Sequence, residues 1–253
     1  MAGRVAYYGN IVKDGLVFDI DAAKRDSYPG TGTAWNDISG FQNNGVLTNG
    51  PTFNNANGGS IVFDGADDYV DSIGTTSTFD YFCSIGTFSI GFWLNPNAIN
   101  VRAFFIGNTL TNTEKGWFIA VEYGAAGYGN NCIRFQAAGN ATNTRLIAGS
   151  TNDSTVTTGW KHYFYTVTNG DYIGQWYING VSSTTTTRVG TGNAVQGAYY
   201  SGPLARTLNI GRANYTSTVL PLAGRISNTL VYNRQLSASE VLQNYNATKG
   251  RYL

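Results

Sequence analysis

The chain has 253 residues and a formal net charge of +1, with 42% hydrophobic, 14% aromatic and only 12% charged residues. Such a balance excludes a disordered chain, and without a run of Lys or Arg the electrostatic footprint of a nucleic-acid binder is missing. No apolar stretch approaches the roughly 20 residues of a membrane helix. The opening MAGRVAYYGNIVKDG also lacks the apolar core of a signal peptide, so the expectation is a soluble protein made in the cytoplasm, with neither nucleic acid nor membrane as partner.

In chain order, residues 1–14 read as an N-terminal arm and 15–253 as one domain, since no linker divides the rest. Leu16–Ile20, Ile61–Phe63, Tyr69–Asp71, Phe88–Leu94, Ala103–Ile106, Trp117–Val121 and Ile133–Ala137 carry period-two or short apolar patterns. Turn clusters such as Tyr28-Pro29-Gly30-Thr31-Gly32, Asn43-Asn44-Gly45, Asn49-Gly50-Pro51 and Asn57-Gly58-Gly59 separate them. Many short strands at such spacing predict an all-β, two-sheet antiparallel sandwich.

The segment Trp160–Gly180 predicts a hairpin about Asn169-Gly170, because both positions tolerate the positive φ of a type I′ turn. That turn would pair Val167 with Tyr172, Tyr165 with Gly174 and Tyr163 with Trp176, and on the other face Phe164 with Gln175 and His162 with Tyr177. Rings on both faces imply a central pair, packed on a second sheet on one side and covered or concave on the other. Leu208–Ile210 and Arg225–Tyr232 follow as strands. Ser237-Ala238-Ser239-Glu240 is a capping box for a short C-terminal helix, with Leu236, Val241, Leu242 and Tyr245 as its apolar stripe and Gly250 as its stop.

Several stretches resemble laminin-G-like, concanavalin A-like jelly-roll domains. They are Trp160-Lys161-His162-Tyr163 through Asn179-Gly180, Ile61-Val62-Phe63-Asp64-Gly65-Ala66-Asp67-Asp68-Tyr69-Val70, Leu208-Asn209-Ile210-Gly211-Arg212 with Leu222-Ala223-Gly224-Arg225-Ile226, and Val231-Tyr232-Asn233-Arg234-Gln235-Leu236-Ser237. The front end is similar to such domains in tailed-bacteriophage virion proteins. It carries Tyr8-Gly9-Asn10-Ile11-Val12, Asp14-Gly15-Leu16-Val17, Ile20-Asp21-Ala22 and Tyr28 through Gly40. That resemblance implies a virion structural protein, a capsid decoration, fibre or tail appendage, with other capsid or tail proteins as partners and self-association. The alternative is a carbohydrate-binding adhesin module recognising a host or environmental glycan.

Catalysis is not expected. Retaining glycosidases need two carboxylates about 5–5.5 Å apart, and the E-x-D-x-x-E motif of hydrolase relatives is missing. The glutamates are Glu114, Glu122 and Glu240, and Asp19 and Asp21 form a lone D-x-D on one strand face, where Asp21 is expected to satisfy turn amides. His162, the single histidine, reads as a structural residue hydrogen-bonded to backbone. Calcium is the cofactor weighed: Asp64, Asp67, Asp68 and Asp71 crowd a strand-turn-strand and Asp37, Ser39 and Asn43 a loop, but Asp-Gly-x-Asp-Asp also reads as a tight turn. For a glycan, the expected platform is Tyr163, Tyr165, Tyr172 and Trp176, with Tyr199, Tyr200 and Tyr215 in later loops; the competing reading places these rings in the core. Cys83 and Cys132 have apolar neighbours and read as buried thiols.

Overall fold

The computed structural model describes residues 10–82, 87–108, 116–123, 130–138, 145–151, 154–167, 174–188, 207–212 and 220–252. In chain order the strands begin with β1 (Leu16–Asp21), β2 (Ala34–Trp35), β3 (Gly45–Thr48), β4 (Thr52–Asn54), β5 (Ser60–Asp64) and β6 (Tyr69–Ile73). They continue with β7 (Phe88–Pro96), β8 (Ala103–Gly107), β9 (Gly116–Glu122), β10 (Cys132–Ala138), β11 (Arg145–Thr151) and β12 (Lys161–Val167). The last are β13 (Gly174–Ile178), β14 (Val181–Ser182), β15 (Thr185–Arg188), β16 (Leu208–Ile210) and β17 (Ala223–Tyr232), followed by helix α1 (Ala238–Thr248) and a 3₁₀ turn at Lys249–Arg251.

Two antiparallel sheets form a sandwich. The first runs β14-β13-β12-β7-β17-β5-β4, with β1 also on β17; the second runs β15-β11-β10-β9-β8-β16-β6-β3-β2. One edge of the long β17 is shared, β5 pairing along Ala223–Ile226 and β1 along Asn228–Tyr232. All the strands expected from sequence are present. Beyond them come β2, β3, β4, β14 and β15, whose two to four residues carry no measurable period, and the seven-residue β11.

Period-two alternation turns Phe88, Ile90, Phe92, Tyr163, Tyr165, Val167 and Trp176 inward against Trp117, Ile119, Ile133 and Phe135 of the second sheet. Burial of this kind contributes about 25 cal/mol per Å² of apolar area and is the main force closing the sandwich. The opposite face of β12 and β13, with Phe164 and Tyr177, packs with Leu230, Tyr232, Leu236 and Val241 beneath the helix. Gly91 lies opposite Phe164 in the register, and a Cβ there would enter the Phe164 ring.

The hairpin register departs from expectation by two residues: Tyr165 pairs with Trp176, Phe164 with Tyr177 and Val167 with Gly174. A two-residue slip preserves which face each side chain occupies, so the central, doubly covered pair survives the change of partners. Residues 168–173, including Asn169, Gly170 and Tyr172, lie outside the described residues.

The capping box forms as read: Ser237 accepts from the Glu240 N–H, and the Glu240 carboxylate accepts from the Ser237 N–H. Gly250 instead sits inside the 3₁₀ turn that extends the helix. Leu242 points out, and the positions that the helix buries are Val241, Asn244 and Thr248. The arm boundary also moves. Ile11 and Val12 join the cluster beneath the helix, so residues 10–14 belong to the packed body rather than to an arm spanning 1–14. The Val12 N–H donates to Asn244 Oδ1 at 2.8 Å and Tyr232 donates its hydroxyl to the Val12 carbonyl at 2.9 Å.

Candidate functional site

The expected glycan platform is a correction. Tyr163, Tyr165 and Trp176 are fully buried in the sandwich core and offer no open ring face; Tyr165 stacks at 5.0 Å on Phe135 and packs at 4.7 Å on Trp176. Tyr172, Tyr199, Tyr200 and Tyr215 lie outside the described residues. The physical reason is parity: all three rings occupy the strand face that meets the second sheet.

His162 is buried among the rings of Trp93, Phe164 and Tyr245, with centroids 5.3, 5.7 and 5.9 Å away. Its Nδ1 makes no hydrogen bond, so ring packing takes the place of the expected backbone bond at that nitrogen. Burial lowers its pKa from 6.5 to about 3 and keeps the imidazole neutral.

At the acidic hairpin, ligand atoms of Asp64, Asp67 and Asp68 lie within 4.8 Å of one another. These three could approach one cation, yet two of them serve the turn: Asp68 Oδ2 accepts the Asp64 N–H at 2.9 Å and Asp64 Oδ1 the Ala66 N–H at 2.7 Å. Burial raises the Asp68 pKa, opposed by the Asp64 N–H bond. Asp71 instead accepts from Asn209 Nδ2 at 2.9 Å. In the other loop Asp37 accepts the N–H groups of Asp19, Ser39 and Asn43, which is saturated turn chemistry. Cys132 is buried on β10, and Cys83 lies outside the described residues.

A different place gathers polar groups. On β1, Phe18 and Ile20 face the core, so alternation turns Asp19 and Asp21 to the outer face, beside Asn228 on β17. There they floor a cleft of about 210 Å³ walled by Asn10, Ile11, Lys13, Lys24, the helix end at Ala247 and Thr248, and Arg251. Arg251 Nη1 holds Asp21 at 2.8 and 2.9 Å, and Asp21 Oδ1 also accepts the Ala23 N–H at 3.0 Å, the turn-amide role expected for it. Asp19 is different. Its side chain is 1% exposed, Lys24 Nζ stands 3.5 Å and Lys13 Nζ 3.8 Å away, and neither carboxylate oxygen accepts a hydrogen bond. Asn228 Oδ1 is likewise buried without a donor. Burial raises the Asp19 pKa, the Lys24 ammonium opposes this, and the Asp21 charge adds to it. With Asp21 clamped in a salt bridge, the pair does not offer the two unencumbered carboxylates of a glycosidase. It does offer buried acceptors beneath the exposed ammonium groups of Lys13 and Lys24.

A second polar cluster, on the outer face of the second sheet, had no signal in the sequence beyond alternation. Glu122, fully buried, meets Arg102 Nε at 3.1 Å and Arg134 Nη2, and the two guanidinium groups lie 5.0 Å from the ring centroids of Phe104 and Phe118.

Residues 64–242 match the Laminin_G_3 family model, described as the concanavalin A-like lectin/glucanases superfamily. Among solved structures, the binding domain of botulinum neurotoxin DC in complex with rat synaptotagmin II aligns with TM-score 0.64 at 15% identity, over 94% of this chain and 52% of that one. Domain 4 of AbnA, an extracellular arabinanase from Geobacillus stearothermophilus in complex with arabinotriose, aligns with TM-score 0.60 at 16% identity, over 91% and 98%. A mutant Trypanosoma rangeli sialidase displaying trans-sialidase activity gives TM-score 0.59 at 14% identity, over 97% of this chain but 35% of the enzyme. This chain thus spans about half the length of the toxin chain and a third of the sialidase. At these identities the likeness is one of fold. No curated protein matches the sequence. Among the described residues no helix is long and apolar enough to cross a membrane.

Proposed function

The chain belongs to the concanavalin A-like lectin/glucanases superfamily, and from that premise we propose that it is a non-catalytic carbohydrate-binding module that grips sugar hydroxyls in the Asp19 cleft. The observation that carries this reading is the mixed polar set on one cleft. Asp19 is ion-paired with Lys24 at 3.5 Å and Lys13 at 3.8 Å, and beside it Asn228 Oδ1 is buried without a protein donor. A hydroxyl both donates and accepts, so a polyol answers both halves of the set. A metal ion would answer only the oxygens and an anion only the lysines. The structural neighbours support a binding role, above all the arabinanase domain in complex with arabinotriose.

The test is calorimetric titration with a panel of neutral mono- and oligosaccharides. Wild type should give heat with at least one sugar, and Asp19→Asn should weaken that binding at least tenfold. Silence across the panel, or an unchanged affinity in the variant, would overturn the reading.

A second reading, a virion structural protein carrying this sandwich and docking to capsid or tail proteins or to further copies of itself, draws on the front-end resemblance over residues 8–40. It is compatible with glycan binding on an outward surface. Mass spectrometry of purified particles from a phage that encodes the chain should find many copies, and none would end it.

A further inference from the structure

Asn10, Ile11 and Lys13 wall one side of the Asp19 cleft, yet residues 10–14 precede β1 and belong to no strand. A ladder does not hold their backbone, and side chains from the other end of the chain take its place. Gln243 Nε2 donates to the Asn10 carbonyl at 2.8 Å, and Asn244 Oδ1 accepts the Val12 N–H at 2.8 Å. The Tyr232 hydroxyl donates to the Val12 carbonyl at 2.9 Å and Arg234 Nε to the Asp14 carbonyl at 3.1 Å. Between these ties Ile11 and Val12 lie in the apolar cluster with Leu236 and Val241.

The helix joins the ties to the cleft. Asn244, Ala247 and Thr248 stand at i, i+3 and i+4 on one face of α1. The face that receives Val12 therefore also supplies Ala247 and Thr248 to the cleft. Docked in this way, the segment places Lys13 Nζ 3.8 Å from Asp19 Oδ2. The remaining groups about Asp19 come from elsewhere. Lys24 of the following turn stands 3.5 Å away, and Asp21 of the same strand is held by Arg251. From β17 come the neutral Asn228 and the Tyr232 hydroxyl, whose pKa burial raises.

We propose that residues 10–14 are a strap that completes the cleft, with Gln243 and Asn244 as its positioning residues. Releasing the strap withdraws Asn10, Ile11 and Lys13 together and leaves Lys24 as the ammonium facing Asp19. Because Lys13 meets Asp19 only when the strap is docked, docking and the Asp19 charge favour one another. The strap's part in ligand binding rests on the polyol reading of the cleft; its docking does not.

The experiment compares wild type, Gln243→Ala and Lys13→Gln, each as the full chain. Hydrogen exchange followed by NMR reads the strap, and a carbon-detected titration of the Asp19 carboxyl reads the cleft. Gln243 is exposed, so its loss leaves the fold intact. In Gln243→Ala the Val12 amide, whose own acceptor Asn244 remains, should exchange at least tenfold faster while β17 amides keep their rates. The Asp19 midpoint should rise toward that of Lys13→Gln, itself about 0.5 pH unit above wild type. In Asn244→Ala, residues 10–14 should lose more protection than β17 does. Exchange in 10–14 that tracks β17 in every variant, or an Asp19 midpoint unmoved by Gln243→Ala and Lys13→Gln, overturns the strap. With arabinotriose as the calorimetric probe, Gln243→Ala should weaken binding at least fivefold, and an unchanged affinity would place the strap outside the binding site. Should wild type give no heat, exchange and titration decide the strap alone, and the loss falls on the cleft reading.

Discussion

Asn244 reaches back across 232 residues of sequence to accept the N–H of Val12 at 2.8 Å, and its amide nitrogen donates to the hydroxyl of Tyr232 at 3.1 Å. The same hydroxyl donates to the Val12 carbonyl. One buried amide thus stitches the segment before β1, the last strand and the C-terminal helix into a single body, and with them one wall of the Asp19 cleft. Asn244→Ala should cost about 2–3 kcal/mol, because it leaves a buried N–H and hydroxyl short of partners. Urea denaturation checks this; a loss below about 0.5 kcal/mol would mean the segment contributes little to the fold.

Asp19→Asn should stabilise the protein at neutral pH even as it weakens sugar binding. The Asp19 pKa is raised in the folded state, chiefly by burial, so the native chain holds its proton to higher pH than the unfolded chain does. Stability therefore falls as pH rises from 3.8 through the raised value, and above it the charge is a standing cost. Removing the charge removes that cost. Thermal melts at pH 7 should show the variant above wild type; a lower melting temperature would mean that the Lys24 and Lys13 contacts outweigh desolvation.

Acid should act on the fold through His162. Its pKa falls from 6.5 to about 3 on burial, so between those values the unfolded chain binds one proton more than the native chain. Stability is full above pH 6.5 and declines as pH drops toward 3, by about 1.4 kcal/mol per unit inside that window. His162→Phe, which cannot titrate, should flatten the difference between denaturation midpoints at pH 7 and pH 4.5. Parallel pH profiles for the two proteins would refute the assignment.

Glu122→Gln tests the network on the opposite face. The carboxylate is fully buried between Arg102 and Arg134, the latter 2% exposed. Deleting the anion and leaving two guanidinium groups together should destabilise by about 3–5 kcal/mol. Chemical denaturation measures this, and a change under 1 kcal/mol would show that other groups already compensate those charges.

How much of the site could be read in advance differs residue by residue. Alternation along Phe18-Asp19-Ile20-Asp21 was enough to put both carboxylates on one face, with Asp21 expected to satisfy turn amides. That Asp21 would be clamped by Arg251 was invisible, because those residues are 230 apart and meet only once the C-terminal turn packs beneath β1. The aromatic hairpin shows the reverse: its rings were conspicuous and their common face was right, but period two says only that side chains share a face, never which face water keeps.

Local pattern thus settled most of the longer strands and the helix cap, since alternation and capping depend on near neighbours, whereas the concanavalin A-like class came from the resemblance of four sequence blocks. Packing across more than 200 residues chose the buried face of the hairpin, drew residues 10–14 into the body and brought an acidic strand beneath two lysines and an arginine. Burial is a property of the closed assembly, and a linear string of residues does not contain it.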